Sequence, residues 1–383
     1  MDKNTQHLQH SPQLPPQFLA NQIQNNDEID LRELFLALWK GKLIIIATTA
    51  VFMIAAVVYA LNAQQWWSSK ATVAKPQSSD FSAYRVQVKQ FQPIFDVYQD
   101  DGTVLVSGAL DYLISPSALF QQFVTEFNSA NNKRAFLDNS IEFQAFREKL
   151  DADADADADA SRKLYAEWFK KITASAVDKK DKDGPYTLNL QATTKQSSFT
   201  LINEYINVIK NKTLDNALEN LESLVDAQQH ELAQQKRILE AQAQNRLNIE
   251  IERAEYSLEI AKAASVTQPI QTNTDQSMFS IDLGYKAIEA KINALKSIKN
   301  LSVIEPRLQQ VDAKLAMLST LSIDPNIEFQ TFRFLEDVEQ PITRDKPKRA
   351  LIAVLGTLLG GMLGVAIVLV RHAFRKEDDV EKK

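Results

Sequence analysis

The chain has 383 residues, a hydrophobic fraction of 45%, 49 acidic against 43 basic side chains for a net charge of −6, and no Cys. Such a balance lacks the basic face of a nucleic-acid binder, and a chain without Cys makes no disulfide, thiolate nucleophile or Fe–S ligand. His7 and His10 lie in a polar tail, His230 in a charged helical run and His372 beside an apolar stretch, so no local metal spacing exists and no metal or cofactor is expected.

Residues 1–26, rich in Gln, Asn and Pro, predict a disordered tail. Residues 27–42 predict an interfacial amphipathic helix, with Ile29, Leu31, Leu34, Leu38 and Trp39 on one broad apolar face. Residues 43–61 are uncharged and, as a helix, long enough to cross a hydrocarbon core of about 30 Å. This stretch starts too late and runs too long for a signal-peptide core, so it reads as an uncleaved anchor. Trp66 and Trp67 follow where an outer aromatic belt belongs.

From there to about residue 210 the pattern is mixed. Strands are predicted at 69–74, 103–107 and 186–192, the last with Leu188, Leu190 and Ala192 alternating with polar neighbours. Helices are predicted at 117–128, 141–150, 162–174 and 197–210. Residues 151–160 are an Asp-Ala dipeptide repeated five times, a solvated helix face or a linker; they lack the Gly turn and spacing of an EF-hand loop.

Residues 213–264 contain no Gly or Pro and are crowded with helix formers, predicting a rod on the order of 75 Å long. Leu214, Leu218, Leu221 and Val225 begin an apolar stripe that thins near Gln228 and resumes at Ile238, Leu247, Ile251, Leu258 and Ile260. The rod is expected to pack against copies of itself, with pairing inside its own chain as the alternative. A second helical stretch, 283–321, is interrupted at Pro306, and Asp324-Pro325-Asn326 turns the chain into a strand at 327–335.

The last apolar stretch, 350–370, is a second candidate membrane helix. Gly356, Gly360, Gly361 and Gly364 lie in it, and Gly356, Gly360 and Gly364 recur every fourth residue on one face. These are candidate helix-packing and assembly residues, with the first span, another subunit or a different membrane protein as partner. Arg32, Lys40 and Lys42 before the first span, against Lys70 and Lys75 beyond it, favour a cytoplasmic amino terminus, whereas the basic residues on the two sides of the second span nearly balance. Residues 62–349 are then expected outside it, with residues 371–383 a second cytoplasmic tail.

Four motifs carry a family resemblance: Asp27-Glu28-Ile29-Asp30-Leu31 through Leu38-Trp39-Lys40-Gly41-Lys42; Phe199 to Ile206 with Asn203-Glu204-Tyr205-Ile206; Gly284-Tyr285-Lys286-Ala287-Ile288 followed by Ala294-Leu295; and Pro341-Ile342-Thr343-Arg344-Asp345-Lys346-Pro347-Lys348-Arg349-Ala350-Leu351-Ile352. In this order and layout the chain resembles the chain-length determinant (Wzz-type) family of bacterial polysaccharide co-polymerases, whereas residues 76–196 match it poorly. The resemblance implies an α+β fold, with two transmembrane helices flanking a periplasmic α/β base that bears a long protruding helical extension. It also implies a two-pass protein of the bacterial inner membrane that assembles as a ring-like homo-oligomer. Its role would lie beside a Wzy-type polymerase, setting how many units are joined on a lipid-linked polysaccharide such as O-antigen.

No catalytic residue is expected; Pro341, Pro347, Lys348 and Arg349 form a candidate membrane-proximal motif. The alternatives are an adaptor of a polysaccharide export system or a membrane-anchored periplasmic sensor. A related tyrosine autokinase would need a Gly-x4-Gly-Lys-Ser/Thr phosphate loop, which the sequence lacks, and nothing in the spacing picks a glycosidase pair from the carboxylates.

Overall fold

The computed structural model describes residues 31–99, 101–151, 158–181, 183–269 and 279–380. The tail at 1–26, the start of the interfacial helix at 27–30, the middle of the Asp-Ala repeat and residues 381–383 lie outside the described residues. The chain divides into two compact units, one formed by Met1–Ala63 with Pro347–Lys383 and the other by Gln64–Lys346.

The first unit begins with helices α1 (Leu31–Lys40) and α2 (Lys42–Asn62). The second unit then runs β1 (Trp67–Ala74), α3 (Ser82–Lys89), α4 (Gln92–Phe95), β2 (Val97–Tyr98), β3 (Val104–Leu105), α5 (Pro116–Asn128), α6 (Ala130–Asp138), α7 (Ile141–Asp151), α8 (Ala158–Phe169), β4 (Ile172–Ala176), β5 (Tyr186–Ala192), α9 (Lys195–Ala263), α10 (Tyr285–Ser297), a 3-10 turn (Leu301–Val303), α11 (Arg307–Thr320) and β6 (Arg333–Glu339). Helix α12 (Arg349–Val380) completes the first unit.

The main sheet of the second unit has the order β4-β5-β1-β6, with every pairing antiparallel. β5 occupies the span its alternation predicts: Leu188, Leu190 and Ala192 are buried, as are Ser69, Ala71 and Val73 on the paired β1. These small and branched side chains let α5 and the start of α9 lie close to the sheet. Phe120, Phe123 and Phe127 from α5 meet Ile202, Tyr205, Ile206 and Ile209 from α9 in one apolar core. The Tyr205 hydroxyl donates to the Phe127 carbonyl at 2.9 Å, which satisfies a buried polar group, and burial raises its pKa.

Helix α9 is a single element of 69 residues, about 100 Å long at the α-helical rise. It absorbs the separate helix expected at 197–210, because neither Gly nor Pro occurs between Pro185 and Pro269 to break it. Thr194 caps its start by accepting from the Ser197 amide at 3.0 Å. Three cores follow along the rod. Beyond the sheet, Ala217, Leu221, Val225, Leu232, Leu239 and Ala243 are covered by α3, α4 and α11, and farther on Ala254 and Ala261 are covered by Ile288 and Ile292 of α10. The alternative of pairing within the chain is therefore realised along one stripe, while Ile238 and Ile260, counted in the predicted stripe, face outward at 59% and 43% exposure. Gly284 begins α10 at φ 72°, and a Cβ there would lie 2.9 Å from the Thr267 carbonyl carbon.

Four expectations change. Residues 103–107 yield only β3, which pairs with β2 in a separate ribbon rather than joining the main sheet. The helix expected at 162–174 ends at Phe169, and Ile172–Ala176 becomes β4 because its backbone pairs with β5 from Ile172 opposite Leu190 to Ala176 opposite Tyr186. The strand expected at 327–335 starts only at Arg333; Phe329 and Phe332 before it serve as core residues, stacking on Tyr84 and Phe123 at 4.3 and 4.1 Å. Trp66 is no free belt residue: it packs on Phe146 and Trp168, with Lys171 over its ring at 4.2 Å.

A charged clamp fixes the turn before α11 to the rod. The side chain of Glu305, 4% exposed, receives Arg246 at 2.9 Å and Arg307 at 2.6 Å. The Arg307 hydrogen bond, aided by both guanidinium charges, holds the carboxyl below its ordinary value of 4.5 despite its burial. A carboxylate depressed in the folded state stabilises above its unfolded pKa and loses that contribution as pH falls through the folded value. Glu305→Gln should thus melt below the wild type at pH 7, and the gap should close as pH drops under about 4. Melting curves across this range with a constant gap would contradict the clamp.

Candidate functional site

Helices α2 and α12 are long and apolar enough to cross a membrane, over Lys42–Asn62 and Arg349–Phe374. They pack antiparallel and in register, with the glycine face of α12 against the backbone of α2. A Cβ on Gly356 would strike the Ala56 side chain and lie 3.2 Å from the Phe52 carbonyl oxygen. On Gly360 it would lie 2.7 Å from Phe52 Cβ and 2.9 Å from Thr49 Cα, and on Gly364 2.8 Å from Ile45 Cα and against the Thr48 hydroxyl. Gly41, at the break between α1 and α2, approaches Val368 in the same way. Within the single chain this face meets the first span, one of the three partners considered. Gly361 stands apart: the nearest atom to its Cβ position is Thr49 Oγ1 at 3.7 Å, and it lines an apolar groove with Met53 and Met362.

Small residues serve here because lipid tails offer no hydrophobic gain for pairing two apolar rods, so close van der Waals contact must hold them. The hydroxyls inside the spans are satisfied locally: Thr48 and Thr49 donate to the Ile44 and Ile45 carbonyls, and Thr357 donates to that of Ala353. At one end of the pair the half-buried Arg349 donates from Nε to the Ala60 carbonyl at 3.2 Å, which joins the helix starts and ends without exposing an orphan acceptor. Lys348 leaves its side chain exposed and supplies the carbonyl that accepts the Ile352 amide at 3.1 Å.

In the second unit, the segment after β6 closes onto the start of β1. Trp66 donates its amide to the Lys346 carbonyl at 3.1 Å and accepts from the Asp345 amide at 2.9 Å. Gln191 reaches Asp345 Oδ2 at 3.3 Å. Pro347 has no amide hydrogen and cannot extend this pairing. Pro341 lies in the bend after β6, beside an Ile342 that is 90% exposed. The eight candidate residues therefore separate into Gly356, Gly360 and Gly364 on a packed face closed by Arg349, Gly361 on a groove beside it, an exposed Lys348, and Pro347 and Pro341 in the segment after β6. Sequence reasoning missed Thr48, Thr49 and Ala56 on the first span and Gln191 in the closure, and it named Gly41, Trp66 and Asp345 without these contacts.

Lys171 over the Trp66 and Trp168 rings has its pKa lowered by burial, yet the cation–π geometry at 4.2 and 5.6 Å favours the charged form. Among the described residues no group of three His, Asp or Glu side chains is placed to hold a metal.

These features define a protein with two apolar helices, each long enough to cross a membrane and packed together through small residues, and an intervening unit in which a small antiparallel sheet carries one very long helix. The family model described as chain length determinant protein, Wzz, matches residues 27–111, and the GNVR model, a G-rich domain that its description places on tyrosine kinases, matches residues 308–373. Over residues 27–111 the chain is thus similar to the chain-length determinant family. It is 28% identical over 369 residues to the ferric enterobactin transport protein FepE of Escherichia coli (strain K12), covering 92% of each chain. It is 25% identical over 357 residues to the ECA polysaccharide chain length modulation protein of the same strain, covering 90% of this chain and 95% of that one. A solved full-length bacterial polysaccharide co-polymerase shares the fold, with a TM-score of 0.58 and 24% identity over 91% of this chain and 99% of the other.

The glycine face predicts a graded response. Gly360→Leu must push Phe52 and the Thr49 backbone away and should lower the detergent-solubilised protein's melting temperature, whereas Gly361→Leu faces open groove and should cost much less. Equal losses from the two substitutions would contradict the packing.

Proposed function

We propose that this protein regulates the chain length of a surface polysaccharide, O-antigen or a related lipid-linked glycan, as an oligomeric scaffold beside a Wzy-type polymerase. The observation that carries this reading is the family match joined to a relative named for polysaccharide chain length modulation, aligned over nine-tenths of the chain. The names of the two relatives diverge, and the family description agrees with the second.

Under this reading the chain makes and breaks no bonds. Its spans sit in the bacterial inner membrane with both termini cytoplasmic, and residues 64–346 lie in the periplasm. The outward-facing Ile238 and Ile260 of α9 support self-association, because an apolar side chain on a rod gains by being covered by another copy. Ile342 and the groove beside Gly361 are apolar surfaces on which a membrane partner such as the polymerase could rest. Length control then comes from how long a growing glycan stays engaged with the assembly.

Two experiments test the reading. Deletion of the gene should change the length distribution of the surface polysaccharide on a gel, and restoring the gene should return it; an unchanged ladder would refute the function. Because the chain has no Cys, Val177→Cys, at a position 61% exposed in the second unit, is a unique label site. A membrane-impermeant maleimide should reach it from the periplasm in cells with a permeabilised outer membrane, and labelling only after inner-membrane lysis would reverse the topology.

A further inference from the structure

A cleft of about 710 Å³ opens in the Gln64–Lys346 unit between the β2–β3 ribbon and the adjoining faces of α9 and α11. Helix α9 supplies Gln228, Glu231 and Gln235 at intervals that keep them on one face, and α11 supplies Arg307, Gln310 and Lys314 at the same intervals. Two polar edges thus run along an apolar floor made by Leu232 and Val311, which are 2% and 4% exposed. The aromatic ring of Tyr98, 39% exposed, forms part of the wall.

On these edges Arg307 is engaged by Glu305, and Glu231 acts on the charge of Lys314, whereas the amides are left over. The side-chain amides of Gln228, Gln235 and Gln310 and the carboxylate of Glu231 have no hydrogen-bond partner among the described residues. Gln228 and Gln310 are half-buried, so their groups face the cleft rather than open solvent. Lys314 is held at the wall by donating to the Asp96 carbonyl at 2.6 Å. Two acids, Asp101 and Glu231, balance two bases, Arg307 and Lys314, and such a lining gives no field that would select a polyanion.

We propose that this cleft binds a neutral saccharide segment of a few rings. A sugar ring has a rim of hydroxyls that donate and accept, and a face of C–H bonds. Each primary amide offers donors and an acceptor in one plane, suited to that rim, and an aromatic ring beside an apolar floor suits that face. The volume falls within the range of about 300–1,000 Å³ usual for small-ligand sites. The inference rests on the reading of the protein as a polysaccharide regulator for the source of the glycan, and it names the surface that the glycan touches.

The test uses the full chain in lipid nanodiscs and, as probe, oligosaccharides of one to four repeat units cut from the surface polysaccharide of the same cells. Saturation-transfer NMR should show contact with the wild type. Gln228→Ala with Gln310→Ala should weaken binding by about tenfold or more. The exposed Tyr98→Ala should weaken it as well without lowering the melting temperature, and Gln242→Ala, exposed on α9 and outside the cleft lining, should not. No transfer to the probe from the wild type, or binding unchanged by both cleft variants, overturns the proposal. The deletion ladder decides the regulatory reading by itself, so a changed ladder with no saccharide contact refutes the cleft alone.

Discussion

Backbone-close contact between two antiparallel apolar helices is the constraint on which the rest of the structure depends. It is set by three glycines of α12, each of which puts its missing side chain where α2 has backbone or a Cβ. A larger residue at these positions would separate the rods and remove the short contacts that alone hold helices together in lipid. At the Ala60–Arg349 end the pair is tied by a hydrogen bond, and in the second unit the chain ends are tied again by the Trp66–Lys346 pairing. Each unit thus closes its own boundary, and the chain passes from one to the other at Ala63–Gln64 and Lys346–Pro347.

The second unit solves a different problem, that of giving a helix about 100 Å long something to rest on. No single core could cover it, so three short cores are strung along one stripe, each contributed by a different part of the chain. The charged clamp at Glu305 and the Lys236–Asp312 ion pair at 2.7 Å fix α11 to the rod's middle. The exposed pair is weak by comparison, since solvent screens it. What remains uncovered is a line of outward apolar side chains and a polar-edged cleft, surfaces suited to contact rather than to covalent chemistry.

The sequence was most legible where one physical rule acts alone. Uninterrupted apolarity marked both spans to within a residue or two at three of their four ends, glycine spacing marked the packed face, and strict alternation marked β5 at both ends. It was least legible where tertiary partners decide. Ile172–Ala176 is a short, small-residue segment that becomes a strand only because β5 offers an edge, and Trp66 looks like a belt residue until Phe146 and Trp168 are folded against it. The rod was read in two pieces, 197–210 and 213–264; in the fold Thr213 hides its hydroxyl on the Ile209 carbonyl at 2.7 Å and the helix runs through. For the site, the glycines were visible, whereas their counterparts on α2 were not, since Ala and Thr in an apolar run carry no signal until a partner helix selects their face.

The central claim, that the glycine face of α12 is filled by α2 of the same chain, is open to direct measurement because the protein contains no native Cys. Thr49→Cys combined with Gly361→Cys places two thiols at the helix contact without adding a side chain to the packed glycines, and mild oxidation in native membranes should join them within one polypeptide, seen as a faster-migrating monomer on a non-reducing gel. Cross-linked dimers without an internal bridge, or no bridge at all, would show that the face is occupied by something other than the first span and would contradict the account.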